Sequence, residues 1–424
     1  MLASLAPAAA PTESPVAAPA ATLPSPVVTL PSPVVTIDPA LVARFTAGAP
    51  DVVCFCHLGW EFVWQRPQHL LSRFARRSRV FFVEDPCWHH DPGDRQIEPH
   101  LEIKVKENSL KVVVAHLPRQ LTDTAGEAIQ ERLLHAYFAA EGVDEFVAWY
   151  YTPMAIGKSR SFRPAVTVYD CMDELAAFAF APPLLKEREQ ELLGRADLVF
   201  TGGQSIYEAK AGRHPAVYAF PSSIEKEHFA KARTGLPDPV DQAAIPHPRI
   251  GFFGVIDERF DVELIRALAA RRPDWHLILL GPVVKIDPAL LPRAANIHYP
   301  GGKAYAELPA YVGHWDVAAL FFALNESTRY ISPTKTPEYL AAGKPVVSTP
   351  IRDVVRPYGE LGLVQIATTA AEWEVAVNEA IQQEKNPLWI REVDSLLATM
   401  SWDLTWQRMV TLVQGALAEK RLIQ

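Results

Sequence analysis

The sequence predicts an α/β protein with two consecutive doubly wound domains, each built on a parallel sheet between layers of helices. At 424 residues the chain is too long for a single ordinary core. From residue 51 onward, short apolar runs alternate with amphipathic segments, which is typical of strands and helices in parallel sheets. A polar, proline-spaced stretch at 231–248 interrupts the alternation. We therefore expect one domain at 49–230, a linker at 231–248 and a second domain at 249–398.

Each apolar run of the first domain predicts a strand, and each amphipathic segment between runs predicts a helix. The strands are expected at Val52–Cys56, Val80–Val83, Leu110–Ala115, Glu145–Trp149, Val166–Tyr169, Leu198–Thr201 and Val217–Phe220. The helices are expected at Pro67–Arg77, Gly126–Ala140, Pro183–Arg195 and Ser205–Ala211.

The second domain repeats this pattern. Its strands are expected at Arg249–Phe253, His276–Leu280, Val317–Phe321, Pro345–Ser348 and Leu363–Ile366. Its helices are expected near Val262–Arg272, Ala306–His314, Pro337–Ala342 and Ala370–Glu384.

Residues 1–48 have the composition of a disordered, partly polyproline-like tail. The first 40 residues are rich in alanine and proline and repeat the heptad LPSPVVT at Leu23–Thr29 and Leu30–Thr36. A secretory signal needs a basic start and a continuous apolar core, which this stretch lacks. The tail is either a passive extension or a tether for a partner.

The overall composition limits the classes of partner. Hydrophobic residues make up 49% of the chain, and no run of uncharged apolar residues is long enough to predict a membrane span. A net charge of −8 argues against nucleic acid as the main partner. The four cysteines lack the paired spacing of a zinc site, so we expect a reducing cytoplasm and no metal.

The stretch SPTKTPEYLAAGKPVVST at 332–349 predicts a short helix aimed at an anionic ligand. Thr336 is a good N-cap, and Gly343 stops the helix before a strand. A helix start attracts phosphate, and Lys335 would add positive charge there. Glu338 is then placed to accept hydrogen bonds from sugar hydroxyls. The alternative is that Glu338 only complements the helix dipole.

In open parallel sheets, ligands bind beyond the carboxyl ends of the strands. The residues that follow the predicted strands are polar or glycyl, and they include His57, Gly59, Asp170, Asp173, Glu174, Gly254, Glu326 and Ser327. Two such edges facing each other predict an interdomain cleft.

Several separated segments of the chain resemble retaining GT-B glycosyltransferases of the family 4, group 1 superfamily. EYLAAGKPVV resembles their nucleotide-binding helix, PSSIEKEHF their linker, and SWDLTW at 401–406 their closing helix. HLGWEFVWQRPQHLLSRFA and YDCMDE resemble a bacterial subgroup often encoded with polysaccharide assembly genes. The resemblance implies two Rossmann-like domains facing across a cleft, a helix at 399–424 that crosses back to the first domain, and a nucleotide-sugar donor whose ribose Glu338 holds.

The resemblance also implies cations around the donor diphosphate. The family places an arginine directly after a glycine that ends the first strand of the second domain, whereas Val255 follows Gly254 here. We therefore assign the diphosphate to Arg259, the nearest cation, and to Lys335. The alternative for Arg259 is a surface ion pair with Glu258 or Asp261.

The family's paired acids are separated by seven residues, and Tyr330 occupies the first of these positions here. Glu326 is the nearest acid, in a polar loop suited to wrap the donor sugar, or it caps a turn. The residues expected to bind the donor are Gly59, Gly254, Glu326, Ser327, Thr328, Thr334 and Glu338.

The first domain is expected to bind the acceptor. Trp60, Trp64 and Arg66 form an aromatic and polar cluster suited to carbohydrate, although part of it would also serve to cap the core. Asp170 is expected to act as base for an acceptor hydroxyl, with Asp173 beside it. His57 either touches substrate or is a structural residue. No metal motif accompanies the nucleotide site, so a metal-independent reaction without a cofactor is expected.

We therefore expect a glycosyltransferase that moves sugar from a nucleotide-diphosphate donor, with a UDP-sugar favoured, to a saccharide or lipid-linked acceptor. Retention of anomeric configuration follows from the resemblance alone. Polysaccharide synthesis in the cytoplasm, at or near the inner face of the membrane, is the expected setting. The alternatives are a nucleotide-sugar epimerase of GT-B fold and a nonenzymatic scaffold.

Overall fold

A computed structural model describes residues 32–62, 64–89, 97–178, 181–284 and 286–423. The predicted disorder of residues 1–31 lies outside the described residues. The described part of the chain belongs to one compact unit.

The first sheet lies at the centre of the first half of the chain. Its strands are β1 (Asp51–Phe55), β2 (Val80–Val83), β3 (Cys87–His89), β4 (His100–Val105), β5 (Leu110–Pro118), β6 (Phe146–Tyr150), β7 (Val166–Cys171), β8 (Leu198–Thr201) and β9 (Val217–Ala219). Their order is β3-β5-β2-β1-β6-β7-β8-β9, and β4 pairs with β5. The pairs along this path are parallel, whereas β4 runs antiparallel to β5.

Helices cover both faces of the first sheet. They are α1 (Pro39–Ala47), α2 (Arg66–Phe74), α3 (Asp123–Ala140), α4 (Leu185–Arg195) and α5 (Gln204–Lys210). On β1, Val52 and Cys54 join one core while Val53 and Phe55 join the core on the opposite face. Burial on both faces explains why the predicted strands are continuous apolar runs.

The second sheet is parallel throughout. Its strands are β10 (Arg249–Phe253), β11 (His276–Leu280), β12 (Ile297–Gly301), β13 (Val317–Leu320), β14 (Val346–Ser348) and β15 (Val364–Ile366), in the order β12-β11-β10-β13-β14-β15. The helices from the linker onward are α6 (Lys226–Ala230), α7 (Val240–Ala243), α8 (Val262–Arg271), α9 (Leu308–Gly313), α10 (Lys335–Ala341), α11 (Arg352–Val354), α12 (Ala370–Gln383), α13 (Pro387–Leu397) and α14 (Trp402–Ile423).

The chain crosses between the two cores at two places. Phe220 belongs to the first core, whereas Ile224 and Phe229 already belong to the second. The chain therefore reaches the second core before the predicted boundary at 230. It returns through α14, whose Trp402 and Met409 are buried in the first core. Within the described ranges, none of the helices combines the length and apolar character needed to span a bilayer.

The prediction of disorder up to residue 48 is wrong for its last part. Residues 39–47 form α1, with Asp38 as N-cap and Pro39 in the first turn. Phe45 is fully buried in the first core, and Asp38 donates its N–H to Thr411 Oγ1 at 3.2 Å. The abundance of proline favoured a prediction of disorder, but proline is also favourable at the start of a helix, and α1 packs against α14.

The strands β3, β4 and β12 escaped prediction because their residues do not form apolar runs. β4 lies at the sheet edge and contains only half-buried and exposed residues, and β12 contains proline and glycine. The predicted linker contains α7, whose buried Gln242 accepts the indole N–H of Trp315 at 2.9 Å. That segment is packed against the second domain rather than extended.

Candidate active site

Helix α10 starts two residues earlier than predicted. Thr334, not Thr336, is the N-cap, and Pro337 falls in the first turn, where it disrupts no helical hydrogen bond. The helix ends as predicted at Gly343, whose φ is +76°, with Lys344 N–H donating to Tyr339 O at 3.0 Å. Since α10 has only seven residues, the charge for an anion must come chiefly from side chains.

Gly254 and Gly281 open the edge of the second sheet above α10. They end β10 and β11 with φ values of +140° and +148°, which favour glycine. A Cβ at Gly254 would overlap Lys335 Cε, and a Cβ at Gly281 would overlap the Gly254 carbonyl oxygen. Gly254 therefore leaves the space that the Lys335 side chain occupies, and Gly281 permits the close approach of the Gly254 carbonyl.

Lys335 and Glu338 form the electrostatic centre of this edge, one turn apart on α10. Burial lowers the pKa of Lys335, and the charge of Glu338 opposes this. Burial likewise raises the pKa of Glu338, and the charge of Lys335 opposes the rise. In the free protein, the attraction between Lys335 and Glu338 thus offsets only part of the cost of burying their charges. An anion beside Lys335 would favour its charged form.

Arg259 lies close enough for its charge to lower the pKa of Lys335 further. The guanidinium forms a two-pronged pair with Asp257, with Nη2 2.7 Å from Oδ2 and Nε 3.0 Å from Oδ1. The expected alternative partner Asp261 instead caps α8 through Leu264 N–H. The pair with Asp257 holds Arg259 in place, and the Arg259 side chain remains 26% exposed. The two cations Arg259 and Lys335 therefore converge on one accessible region.

The first domain contributes His57 and Asp173 to the same region. Burial raises the pKa of Asp173, and the charges of His57 first, then Arg259, oppose the rise. Because Arg259 belongs to the second domain, this interaction crosses the cleft. The structure therefore brings together His57, Asp173, Arg259 and, through Arg259, Lys335 and Glu338.

Asp170 and Arg66 form a buried ion pair, and the charge of Arg66 also acts on Asp173 at this site. Asp170 is fully buried, and Arg66 Nη2 donates to its Oδ1 at 2.8 Å while Trp149 Nε1 donates to its Oδ2 at 3.3 Å. Arg66 also donates to the Phe220 carbonyl. A base must be reachable by the acceptor hydroxyl, so the burial of Asp170 argues against that role, whereas the acceptor-side role of Arg66 stays a prediction.

The predicted aromatic cluster is divided between core and surface. Trp60 is buried edge-on against Phe82 with ring centroids 5.1 Å apart, which favours the core-capping alternative over acceptor binding. Trp64 remains 47% exposed and donates its indole N–H to His69 Nδ1 at 3.1 Å. At Gly59 a Cβ would only touch the Glu84 carboxylate at 3.8 Å, so the chain itself does not require glycine there.

The loop before α10 is held by its own hydrogen bonds. Thr328 is buried and its hydroxyl bonds within the turn, accepting Asn325 N–H at 3.0 Å, so its predicted donor-binding role has no support from this side chain. Ser327 Oγ donates to Asn325 Oδ1 at 2.7 Å, and exposed Glu326 lies 3.8 Å from Arg329. Thr334 is half-buried at the helix start and makes no capping bond.

Sequence reasoning missed Glu225 and Tyr305 beside Glu338. The charge of Glu225 adds to the raised pKa of Glu338, and burial followed by the charges of Glu338 and Glu225 raises the pKa of Tyr305. His228 stacks on Tyr305 with ring centroids 4.3 Å apart. Glu225 could have been noticed as the first acid in PSSIEKEHF, because that segment leads into the second core.

Solved structures with this arrangement of two sheets are GT-B glycosyltransferases. Sucrose-phosphate synthase from Thermosynechococcus elongatus matches with a TM-score of 0.62 and 14% identity, over 87% of this chain and 100% of that one. α,α-Trehalose 6-phosphate synthase from Burkholderia multivorans matches with a TM-score of 0.62 and 12% identity, over 88% and 98%. HepE of Anabaena in complex with UDP matches with a TM-score of 0.59 and 16% identity, over 86% and 100%.

One curated protein is similar to this chain in sequence. The chain is 27% identical over 218 residues to TuaH of Bacillus subtilis (strain 168), whose name assigns it to teichuronic acid biosynthesis as a glycosyltransferase. The match covers 47% of this chain and 54% of TuaH, so the chain spans about half the length of this relative. No protein-family model matches the chain.

The protein has the GT-B fold, with two Rossmann-like domains whose facing edges carry the candidate site. The resemblance to bacterial GT-B glycosyltransferases that its motifs indicate is thereby confirmed.

Proposed function

We propose that the protein is a glycosyltransferase that moves sugar from a nucleoside-diphosphate sugar to a saccharide or lipid-linked acceptor in bacterial polysaccharide or glycoconjugate synthesis. The observation that carries this proposal is the convergence of Arg259 and Lys335 beside Glu338 at the edge of the second sheet. The similarity to TuaH, named as a glycosyltransferase, supports glycosyl transfer, and the similarity to HepE, solved with UDP, supports a UDP-sugar.

The two cations would bind the diphosphate and stabilise the charge that grows on it as the glycosidic bond breaks. The repulsion between Arg259 and Lys335 in the free protein is relieved when an anion lies between them. The carboxylate of Glu338 would accept hydrogen bonds from the ribose hydroxyls. In this assignment, no metal is needed at the diphosphate, and turnover is expected to be insensitive to a chelator.

The acceptor side of the proposal rests on His57 and Asp173. They face Arg259 across the cleft, where the transferred sugar would lie between donor diphosphate and acceptor. The raised pKa of Asp173 makes it a better proton acceptor for a hydroxyl than an ordinary aspartate, and the buried Asp170 no longer competes for this role. Retention of configuration stays a proposal from the resemblance.

A cytoplasmic setting is also part of the proposal. All four cysteines are free thiols, as expected in a reducing compartment. A lipid-linked acceptor would require access to the inner face of the membrane, and vesicle sedimentation with and without such an acceptor would test this.

A thermal-shift screen of UDP-, GDP- and ADP-sugars tests the donor assignment. Ligand at a hundred times its dissociation constant should stabilise the protein by about 2.7 kcal/mol. The binding nucleotide sugar is then incubated with and without candidate acceptors. Conversion of the donor sugar to an isomer without acceptor would show an epimerase, and the absence of any stabilising nucleotide sugar would favour a scaffold.

A further inference from the structure

Three strands at one edge of the first sheet place metal-ligating side chains on a common face. β5 lies between β3 and β4, and His116 on β5 is in register with Cys87 on β3 and with His100 on β4. Residues in register share a face, and His89 lies two residues beyond Cys87 on the same face of β3. The alternate residues of β4, Leu101 and Ile103, pack instead on the core that contains Val53 and Phe55 of β1.

The potential ligand atoms are already close together. One ligand atom each from Cys87, His89 and His116 lies within 4.8 Å of the other two. His89 Nε2 is 2.8 Å from His116 Nδ1. Around a tetrahedral zinc ion, with Zn–S about 2.3 Å and Zn–N about 2.0–2.1 Å, ligand atoms lie roughly 3.3–3.6 Å apart. Small side-chain rotations would therefore bring the three atoms to coordination distance.

A carboxylate orients the central histidine. Glu102 Oε2 lies 3.2 Å from His116 Nε2, so the proton of His116 belongs on Nε2 and the Nδ1 lone pair points towards His89. A carboxylate behind a histidine is the usual outer support of a metal ligand.

We propose that Cys87, His89 and His116 bind a zinc ion, with Glu102 as the residue that positions His116. A thiolate with two imidazoles is a donor set that suits zinc, and exposed Cys87 gives the ion access from solvent. Three protein ligands leave one position for water or for an anion. The site includes none of the residues assigned to the donor or acceptor.

The test is a calorimetric titration of the full-length, chelator-treated protein with zinc chloride. The wild type should bind one equivalent, and Cys87→Ser and His116→Ala should each weaken binding at least tenfold. Glu102→Gln should weaken it by about 10–100-fold. The matched control is His298→Ala, because His298 Nε2 and His276 Nδ1 form a similar pair at 2.9 Å that belongs to no three-ligand group among the described residues.

Cobalt substitution supplies a second readout, and the thermal unfolding of the variant checks that it is folded. The wild type should show a thiolate-to-cobalt charge-transfer band, and Cys87→Ser should abolish it without changing the thermal unfolding of the metal-free protein. Failure of the wild type to bind one equivalent, or unchanged affinity in both Cys87→Ser and His116→Ala, would overturn the proposal. Metal content is independent of transferase activity, so failure of the proposed function would not affect this result.

Discussion

At the scale of single residues, burial distinguishes groups that meet substrate from groups that hold the fold. Asp170 and Asp173 are three residues apart, and sequence alone suggested similar chemistry for both. The structure buries Asp170 against Arg66 and leaves Asp173 half-buried under the influence of His57 and Arg259. Partners 104 residues apart, such as Arg66 and Asp170, cannot be paired from local sequence.

The first prediction concerns Glu338→Gln. The amide keeps the shape but removes the charge from the acceptor of ribose hydroxyl bonds, so donor binding should weaken by about 1.5–3 kcal/mol. Titration calorimetry with the nucleotide sugar found in the screen measures the effect. Glu360→Gln is the control, since Glu360 is an exposed acid paired with Arg356. Normal affinity in Glu338→Gln would show that Glu338 does not contact the donor.

Asp170→Asn should unfold more easily rather than lose only acceptor transfer. Removing one charge of a buried pair leaves the other uncompensated, which costs about 3–5 kcal/mol. Urea denaturation measures the loss. Asp403→Asn removes a comparable but exposed partner of Arg73, and it should cost no more than about 1 kcal/mol. Equal stability of the two variants would contradict the structural role of Asp170.

At the scale of elements, sequence predicts what is buried on both faces and misses what lies at edges. Continuous apolar runs in the sequence predicted β1, β2 and β10 correctly. These strands are covered on both faces, so nearly all of their residues are buried. The edge strands β3 and β4 carry polar residues instead, and their pairing partner is fixed only by the folded sheet. The start of α10 was misplaced because Thr336 is a plausible cap, whereas the structure buries it in the first turn.

Helix α1 yields the third prediction. Phe45→Ala should destabilise the protein by about 3–5 kcal/mol, because it empties a fully buried aromatic site next to Phe74. Phe62→Ala is the control, since Phe62 is 66% exposed. Deleting residues 1–31 alone should leave the melting temperature nearly unchanged, whereas deletion through residue 47 should lower it. A deletion through residue 47 without effect would show that α1 contributes nothing to the core.

At the scale of the whole molecule, a second contact joins the domains beside the candidate site. Asp353 at α11 of the second domain accepts the backbone N–H of Ser205, in the first turn of α5, at 3.0 Å. Arg352, next to Asp353 on α11, forms an ion pair with Glu208 of α5, with Nη2 2.6 Å from Oε1. A Cβ at Gly203 would overlap Asp353 Oδ2, so glycine permits this approach. The domains are thus held together by a buried acid capping a helix of the opposite domain.

This interdomain cap should make stability depend on pH in a defined direction. Burial raises the pKa of Asp353 to about 6, and the hydrogen bond from Ser205 opposes part of the rise. In the unfolded chain an aspartate has a pKa of about 3.9, so between about pH 4 and 6 the folded protein holds more protons. The contribution of Asp353 to the free energy of unfolding is therefore greatest at low pH and falls as pH rises through about 6, by on the order of 2 kcal/mol.

Asp353→Asn removes this titration and isolates its effect from all other groups. The asparagine oxygen can still accept the Ser205 N–H, so the variant should fold and should gain stability relative to the wild type as pH rises from about 4.5 to 7. Urea denaturation of both proteins across that range measures the difference in free energy of unfolding, with Glu326→Gln as an exposed-acid control. A difference that stays constant with pH would mean that Asp353 titrates normally in the folded protein. A difference of the expected sign would show that burial of Asp353 at the contact between the domains favours its neutral form in the folded protein.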